Sequence, residues 1–342
     1  MNLKVFLIGS LVISLIVTIH EFGHYIFARM NGVGVEVFSV GMGKPIWKRY
    51  DSKGTLWQLC ILPLGGYILP KDDGNPVDPN RTIPVSGKCF RKSGMVSGIL
   101  VAIAGPLFNF LTAFCCFVAL NNLQGVPKPS NIISNVQSSS IADKIGIKEG
   151  DVIVEVNGVE VNRFIFLNFF KENISLKVER SGELVSFNVN KAKRDPIGVS
   201  FKTDFQKMSF IDSVFYSCKT VYELVYKTLA TTFQAITGLN FMGPIGIIKS
   251  AGKANEGGFY LLILFIAHLS IAIGAFNLIP IPLLDGGRIL MFLVSGIIRR
   301  PVPEKIEGFL NYLSIAVLGF ILIVGSFLDI KGLIWSWKKY FF

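Results

Sequence analysis

Residues 20–24 read His-Glu-Phe-Gly-His and lie near the end of a long apolar segment. On a helix, positions i and i+4 share one face, so His20 and His24 can both reach one metal ion. Glu21 follows the first histidine and can take a proton from a water bound to that metal. Ionisable groups inside a membrane-length apolar helix are costly unless they serve a function. The stretch therefore predicts a helix with a metal site, rather than ordinary polar residues at a membrane interface.

The apolar residues of the chain are clustered in long runs. The chain has 342 residues, of which 51% are hydrophobic and 17% charged, and its mean hydropathy is +0.53. The runs cover residues 3–27, 94–120, 259–283 and 309–328, and each can cross a hydrocarbon core of about 30 Å. The first resembles a signal peptide, but no small-residue cleavage site follows, so we interpret it as a retained helix. The expected fold class is an α-helical multispanning membrane protein with about four transmembrane helices.

The formal net charge of +11 indicates an orientation in the membrane. Basic residues are frequent between residues 29 and 92, and others follow the third span at Arg288, Arg299, Arg300 and Lys305. Both regions fall on the same side, which the positive-inside rule makes cytoplasmic. Residues 124–258 and both chain ends are then expected outside. No basic stripe or reader motif accompanies the charge, so nucleic acid is not an expected partner.

Asp285 is the candidate for the third protein ligand that a catalytic zinc usually needs. It stands in NLIPIPLLDGG at residues 277–287, where Pro280 and Pro282 should end a helix and the glycines let the backbone turn. The first and third spans run in the same direction, so Asp285 faces the same leaflet as His20. Counted along the helix, His20 lies about 10 Å below the membrane surface. The alternative is that Asp285 is the N-cap of the next helix.

Three further polar residues lie inside apolar segments. Asn277 could donate a hydrogen bond to the oxyanion of a tetrahedral intermediate, or it could bond backbone carbonyls freed near Pro280. Asn109 follows the helix break at Gly105-Pro106 and places one amide in mid-membrane. His268 lies about 25 Å from the site along the third span, so it is expected to pack rather than to bind metal.

Three regions outside the spans have patterns of their own. Residues 35–69 predict a β-hairpin or small sheet beside the first span, packed on protein because unpaired strands cannot face lipid. Residues 127–205 are polar, with short β-branched runs between turn signals, and predict a small soluble domain. Residues 214–236 predict an amphipathic helix, either on the outer membrane surface or packed on the soluble domain. The expected divisions are a membrane part at 1–125, the strand-rich domain at 126–206, an amphipathic linker at 207–256 and a second membrane part at 257–342.

With these motifs the chain resembles the site-2 protease family, and specifically its bacterial RseP-like branch. The resemblance runs almost end to end, and the motifs together are highly specific. The middle domain resembles a PDZ domain, with the typical stretch at Ala142 to Val161. The other matching stretches are HEFGH at 20–24, the hairpin sequence at 37–69, AGPLFNF at 104–110, MGPIGI at 242–247 and NLIPIPLLDGG at 277–287.

The resemblance implies an intramembrane zinc metalloprotease. Its Zn²⁺ would be held by His20, His24 and Asp285, and Glu21 would be the general base. The implied location is a bacterial inner membrane, with several spans and the active site near the cytoplasmic side. The PDZ-like domain would be extracytoplasmic and would act as a size filter or as a docking site, with a peptide C-terminus as one ligand.

The resemblance also implies the substrates. They would be single-span membrane proteins within the lipid bilayer, such as anti-sigma factors already shortened by another protease, or remnant signal peptides. The hairpin would pair with the unwound substrate by β-augmentation. This makes Gly65 and Gly66 candidates for substrate contact, beside the oxyanion candidates Asn277 and Asn109.

The best-known enterobacterial members of the family carry two PDZ domains, whereas this chain has room for one. That difference puts a shared mechanism of substrate gating in doubt. Two other functions would leave different signs in the sequence. A transporter would predict repeated halves, which the sequence lacks. An inactive scaffold would predict a damaged motif, yet all four residues of the predicted site are present.

Overall fold

The computed structural model describes residues 3–71, 83–160, 173–190, 197–237 and 242–341. The chain divides into two compact units, one formed by Met1–Leu120 with Phe210–Phe342 and the other by Asn121–Ser209. The first unit carries the apolar helices and the second carries the strand-rich segment. Val161, where the predicted PDZ-like stretch ends, lies outside the described residues.

Within the described residues, four helices are long and apolar enough to cross a membrane. They are α1 (Leu3–Met30), α2 (Met95–Leu123), α6 (Phe259–Asn277) and the part of α8 (Glu304–Phe341) that ends at Ile330. The predicted helical fold with four candidate spans is confirmed. The third predicted span was too long, because α6 ends at Asn277 and the two prolines lie in the turn that follows.

The buried face of α1 explains its central place in the first unit. Buried residues recur at three- and four-residue steps, from Val12 and Ile16 to His20 and His24, which is the spacing of one helical face. Val12 and Ile16 pack with Ile266 of α6 in an apolar cluster. The face that builds the core therefore also turns the two histidines inward.

A shorter helix, α5 (Pro244–Glu256), contacts both α1 and α8. The backbone N–H groups of Gly243 and Gly246 donate to the Asp329 carboxylate of α8 at 3.2 and 2.8 Å. The first N–H groups of a helix lack partners inside the helix and favour negative charge. The MGPIGI stretch at 242–247 thus marks the place where α8 docks on α5.

Beside α1 lies a sheet of two long strands, β1 (Val35–Tyr50) and β2 (Leu56–Pro70). Residues 37–40 of β1 pair with β2 twice, because each strand bends back on itself. The four segments follow one another across the sheet in the order 47–50, 56–60, 37–40 and 66–70. Residues 66–70, here called the edge segment, therefore have a strand neighbour on one side. The predicted small sheet beside the first span is present.

The edge segment and the residue before it run along α1. The Ser14 hydroxyl donates to the Gly65 carbonyl at 3.2 Å, and the Ile68 N–H donates to Glu21 Oε2 at 3.1 Å. Backbone polar groups that are removed from water need such partners. The sheet is therefore fixed against the helix that carries the predicted metal ligands.

Asp51 fixes the turn between β1 and β2. It accepts hydrogen bonds from the Trp57 indole at 3.1 Å and from the N–H groups of Lys53 and Thr55 at 2.9 and 2.8 Å. The guanidinium of Arg29, at the end of α1, lies 3.8 Å away. Partial burial would raise the pKa of Asp51, but these donors outweigh it and hold the pKa below its usual value. The turn is thereby held beside the last turn of α1.

The predicted amphipathic helix is α4 (Phe210–Thr237). Its inward residues Val221, Leu224 and Val225 pack on a cluster that contains Phe117 of α2 and Ile271 of α6. Its inward face is thus packed on two of the long apolar helices.

The second unit is an antiparallel sheet among the described residues. Its strands are β3 (Val126–Val136), β4 (Val152–Val156), β5 (Val159–Glu160), β6 (Asn173–Arg180), β7 (Glu183–Asn190) and β8 (Val199–Gln206). They lie in the order β7-β6-β4-β3-β8, with β5 beside β4. In β6, alternate residues Ile174, Leu176 and Val178 are buried, as expected for a strand with one face on a core. The predicted strands at 132–136, 152–156 and 184–189 are all present. The second unit also contains the short helix α3 (Ile141–Lys144). In the first unit, α7 (Asp285–Ile298) follows α6.

A buried ion pair ties the ends of β4 and β6 together. The Asp151 side chain is 1% exposed, and Arg180 donates to its two oxygens from Nε and Nη2, both at 2.7 Å. Burial alone would raise the pKa of Asp151, but the hydrogen bonds from Arg180 and from the Lys148 N–H hold it below the usual value. A lowered pKa means that the pair stabilises the folded unit at neutral pH and loses this effect in acid.

We expect Arg180→Met to lower the free energy of unfolding of residues 121–209, produced alone, by about 2 kcal/mol at pH 7, since it leaves a buried carboxylate unpaired. The difference from the parent should vanish as the pH falls through the lowered pKa of Asp151, where the carboxyl group becomes neutral. Urea unfolding at several pH values measures this. Lys177→Met is the matched control, because its pair with Glu155 is exposed and should contribute under about 0.5 kcal/mol. Equal stability of the two variants at pH 7 would contradict the argument.

Candidate metal centre

His20, His24 and Asp285 meet in the interior of the first unit. Their nearest ligand atoms all lie within 4.8 Å of one another, and all three residues are buried. Asp285 Oδ2 lies 3.0 Å from His20 Nε2, Asp285 Oδ1 lies 3.3 Å from His24 Nε2, and the two Nε2 atoms are 3.2 Å apart. The structure therefore brings together the three residues that the sequence predicted as metal ligands.

Asp285 reaches the histidines because the chain turns sharply between α6 and α7. Asp285 is the first residue of α7, and the residue at the N-cap is Leu284. The alternative that Asp285 serves only as the N-cap is therefore wrong. A Cβ on Gly286 would lie 2.2 Å from the Leu278 carbonyl, and one on Gly287 would lie 2.1 Å from the Ile281 carbonyl. The two glycines let the turn fold directly over the first turn of α7.

The tautomer of His24 follows from its neighbour in α2. His24 Nδ1 lies 2.7 Å from the Val101 carbonyl oxygen. A carbonyl oxygen can only accept, so Nδ1 carries the proton and Nε2 has a free lone pair. That lone pair points into the cluster. Val101 thus gives His24 the orientation that metal-binding histidines usually receive from a second hydrogen bond.

Gly105 lets α2 approach the two imidazoles. A Cβ at this position would lie 2.3 Å from His24 Nε2 and 2.6 Å from His20 Nε2. Any larger residue would enter the space between the predicted ligands. The predicted helix break at Gly105-Pro106 is wrong, because α2 runs unbroken from Met95 to Leu123 with Pro106 inside it. The sequence also did not assign Gly105 or Val101 to the site. The signal that could have found them is their spacing, since residues 101, 105 and 109 share one face of a helix.

The cluster suits a cation. Asp285 is buried, its Oδ2 lies 3.0 Å from His20 Nε2, and a neutral His24 with its proton on Nδ1 has a lone pair on Nε2. When both imidazoles are neutral with their protons on Nδ1, two nitrogen lone pairs and a carboxylate oxygen converge, and a bound cation satisfies all three. Two imidazole nitrogens and one carboxylate oxygen form a donor set of catalytic zinc sites, which keep a further position open.

Glu21 lies beside the cluster, and its carboxylate accepts a hydrogen bond from the sheet. It follows His20 in α1, and its Oε2 is held by the Ile68 N–H of the edge segment at 3.1 Å. The predicted general base therefore stands between the ligand helix and the edge of the sheet.

The remaining candidates lie in different surroundings. Asn109 is fully buried, with its amide Nδ2 atom 3.1 Å from His20 Nδ1. The Asn277 amide donates to the Ile273 carbonyl of its own helix at 3.0 Å, which is not a carbonyl freed near Pro280, and its role as an oxyanion donor stays a prediction. Gly65 and Gly66 lie in β2, where the Gly65 carbonyl accepts from Ser14. His268 lies against the Leu264 carbonyl and Phe117, as expected for a packing residue.

We expect Gly105→Ala to weaken metal binding by roughly 100-fold or more, because the added methyl group would displace both imidazoles. The metal content of the detergent-purified protein after dialysis measures this. Gly319→Ala in α8 is the matched control, since a Cβ there meets nothing within 4 Å. If the Gly105→Ala protein kept its full metal content, α2 would not be limiting the space at the ligands.

Comparison with known proteins agrees with this centre. The chain matches Peptidase family M50 over residues 8–321. It is similar to proteins named "putative zinc metalloprotease" from Rickettsia conorii (34% identical, covering 96% of this chain and 99% of the relative) and Campylobacter jejuni (31%, covering 96% and 94%). One from Clostridium acetobutylicum is 30% identical and covers 94% of this chain and 96% of the relative. Since the family match spans most of the chain, the protein belongs to peptidase family M50, the site-2 protease family of zinc metalloproteases.

Proposed function

We propose that this protein hydrolyses peptide bonds inside the membrane, within the transmembrane segments of single-span proteins. The observation that carries the proposal is the buried cluster of His20, His24 and Asp285 among helices long and apolar enough to cross a membrane. A protease that acted on soluble proteins would have no need to hold its ligands on such helices. Membership of family M50 supplies the reaction class.

His20, His24 and Asp285 would hold the zinc ion. Bound there, zinc supplies a coordinated water of lowered pKa and polarises the scissile carbonyl. Helix α2 holds the two histidines in place, because the Val101 carbonyl accepts from His24 and Gly105 lies close to both imidazoles. Glu21 takes the proton of the attacking water and later delivers it to the leaving amine nitrogen. One Glu21 oxygen is held by Ile68, and a carboxylate has a second oxygen that can accept a proton.

The edge segment is the proposed place for the substrate chain. Successive residues of a strand direct their N–H and C=O groups to opposite sides. The Ile68 N–H points to α1, so Gly66, two residues earlier, presents its backbone groups to the same side. An extended substrate can add to this edge by main-chain hydrogen bonds. This requires the substrate helix to unwind, which exposes the peptide bond to the metal centre and Glu21.

The second unit is proposed to be one PDZ-like domain, as in the RseP-like branch but present once. Its antiparallel sheet and short helix α3 support this assignment. We place it outside the cytoplasm, where it would filter substrates by size or dock a peptide C-terminus. The basic loops support a multi-pass position in a bacterial inner membrane with the metal centre towards the cytoplasmic side.

We expect Glu21→Gln to lower the rate of cleavage of a model single-span substrate by about 10²–10⁴-fold, because the base is lost. Zinc content should stay at the parent level, since Glu21 is not among the three ligands. Detergent-purified protein, with and without a zinc chelator, is the material for the assay. Glu256→Gln, at the exposed end of α5, is the matched control and should cleave like the parent. Equal cleavage by Glu21→Gln and the parent would rule out the proposed base.

We also expect the substrate sequence to matter through its helix propensity. Two glycines near the cut should raise the rate about tenfold over two leucines, since each costs a helix about 1 kcal/mol. The same glycine pair placed three turns away is the control and should change little. Equal rates for the glycine and leucine substrates would remove the strand-pairing part of the proposal and leave the metal centre untouched.

A further inference from the structure

Asn109 is the fully buried amide of α2, and it faces a predicted metal ligand. Its Nδ2 atom lies 3.1 Å from His20 Nδ1, while its carbonyl oxygen Oδ1 has no hydrogen-bond partner among the described residues. A buried polar atom without a partner costs free energy and calls for an explanation. The position of the proton on His20 decides which end of the amide faces its Nδ1 atom.

The proton of His20 is fixed by what its two nitrogens must do. Nε2 faces Asp285 and His24, and it needs its lone pair if it is to bind a metal. The proton then resides on Nδ1, which becomes a donor. A donor cannot bond to the NH₂ group of Asn109, but it can bond to the amide oxygen. The two ends of an amide have nearly the same shape, and only the hydrogen-bond network distinguishes them. A half-turn of the amide therefore brings Oδ1 to the Nδ1–H of His20.

The same face of α2 already provides an acceptor for the Nδ1 proton of His24. Val101, Gly105 and Asn109 follow at intervals of four and lie opposite His20 and His24, which are also four apart on α1. Val101 accepts the Nδ1 proton of His24, and Gly105 leaves room for both Nε2 atoms. An acceptor at Asn109 completes the pattern, so that α2 selects one tautomer for each ligand.

We propose that Asn109 is a positioning residue whose amide oxygen accepts the Nδ1 proton of His20 and so leaves Nε2 free for the metal. The proposal rests on the proposed zinc site and differs from the role of oxyanion donor that the sequence suggested for Asn109. An oxyanion donor would use the NH₂ group and act on the substrate. A tautomer-selecting acceptor uses the oxygen and acts on metal binding before any substrate arrives.

Two variants of the full chain in detergent separate these roles. Asn109→Leu removes the acceptor at similar size and should weaken zinc binding about 10–100-fold, as the loss of a hydrogen-bond partner behind a ligand does. Asn109→Asp keeps an acceptor oxygen but has no NH₂ group, and it should bind zinc within a few-fold of the parent. Zinc affinity is measured by competition with a chelating indicator, and the absorption spectrum of the Co²⁺ form reports the ligand geometry. Thr112→Val is the matched control, because its hydroxyl bonds the Phe108 carbonyl of the same helix and its loss should leave affinity unchanged.

Each result decides the matter. Weak binding by Asn109→Leu with rescue by Asn109→Asp supports the proposal, also if the leucine protein is less stable, because the aspartate variant shows that an acceptor suffices. Parent-like zinc affinity in Asn109→Leu, or weak binding in both variants, overturns it. If both bind zinc normally but lose the rate of cleavage, Asn109 is instead an oxyanion donor. Failure of the parent itself to bind zinc would overturn the proposed function and not merely this inference.

Discussion

The close contact between α1 and α2 at Gly105 is the constraint on which the metal centre depends. The imidazoles can stand side by side only because α2 has no side chain there, and they are oriented only because α2 then brings the Val101 carbonyl and the Asn109 amide within reach. A ligand pair on an isolated helix would be free to choose rotamers and tautomers. The second helix removes that freedom before a metal arrives, which is the condition for tight and selective binding.

A second constraint comes from the backbone that is not helical. The turn between α6 and α7 and the edge segment both lie against the helices of the first unit, where their polar groups must be paired by protein. The edge segment and the residue before it find partners on α1, where Glu21 accepts from the Ile68 N–H and Ser14 donates to the Gly65 carbonyl. The edge segment therefore holds Glu21 in place, and Glu21 in turn stabilises the edge segment.

The sequence was informative where chemistry and periodicity agree. The apolar runs predicted the helices, the spacing of His20 and His24 predicted a shared face, and the prolines before Asp285 predicted the turn that brings it to them. The double bend of β1 and β2 could not be predicted, because pairing between distant segments leaves no local period. The positions that α2 contributes were missed for a related reason, since Val101 acts through its backbone and Gly105 through the absence of a side chain. Neither property shows in residue type alone, and Asn109 could be recognised as polar but not as the neighbour of His20.

The order of the ligands along the chain has a consequence for biosynthesis. The histidines lie in the first helix, but Asp285 lies after the second unit, α4, α5 and α6. A ribosome therefore delivers the helix with the proposed general base long before it delivers the proposed third ligand. A chain that stalls anywhere in between has two of the three predicted ligands. The complete set of predicted ligands is thus present only once most of the protein has been made.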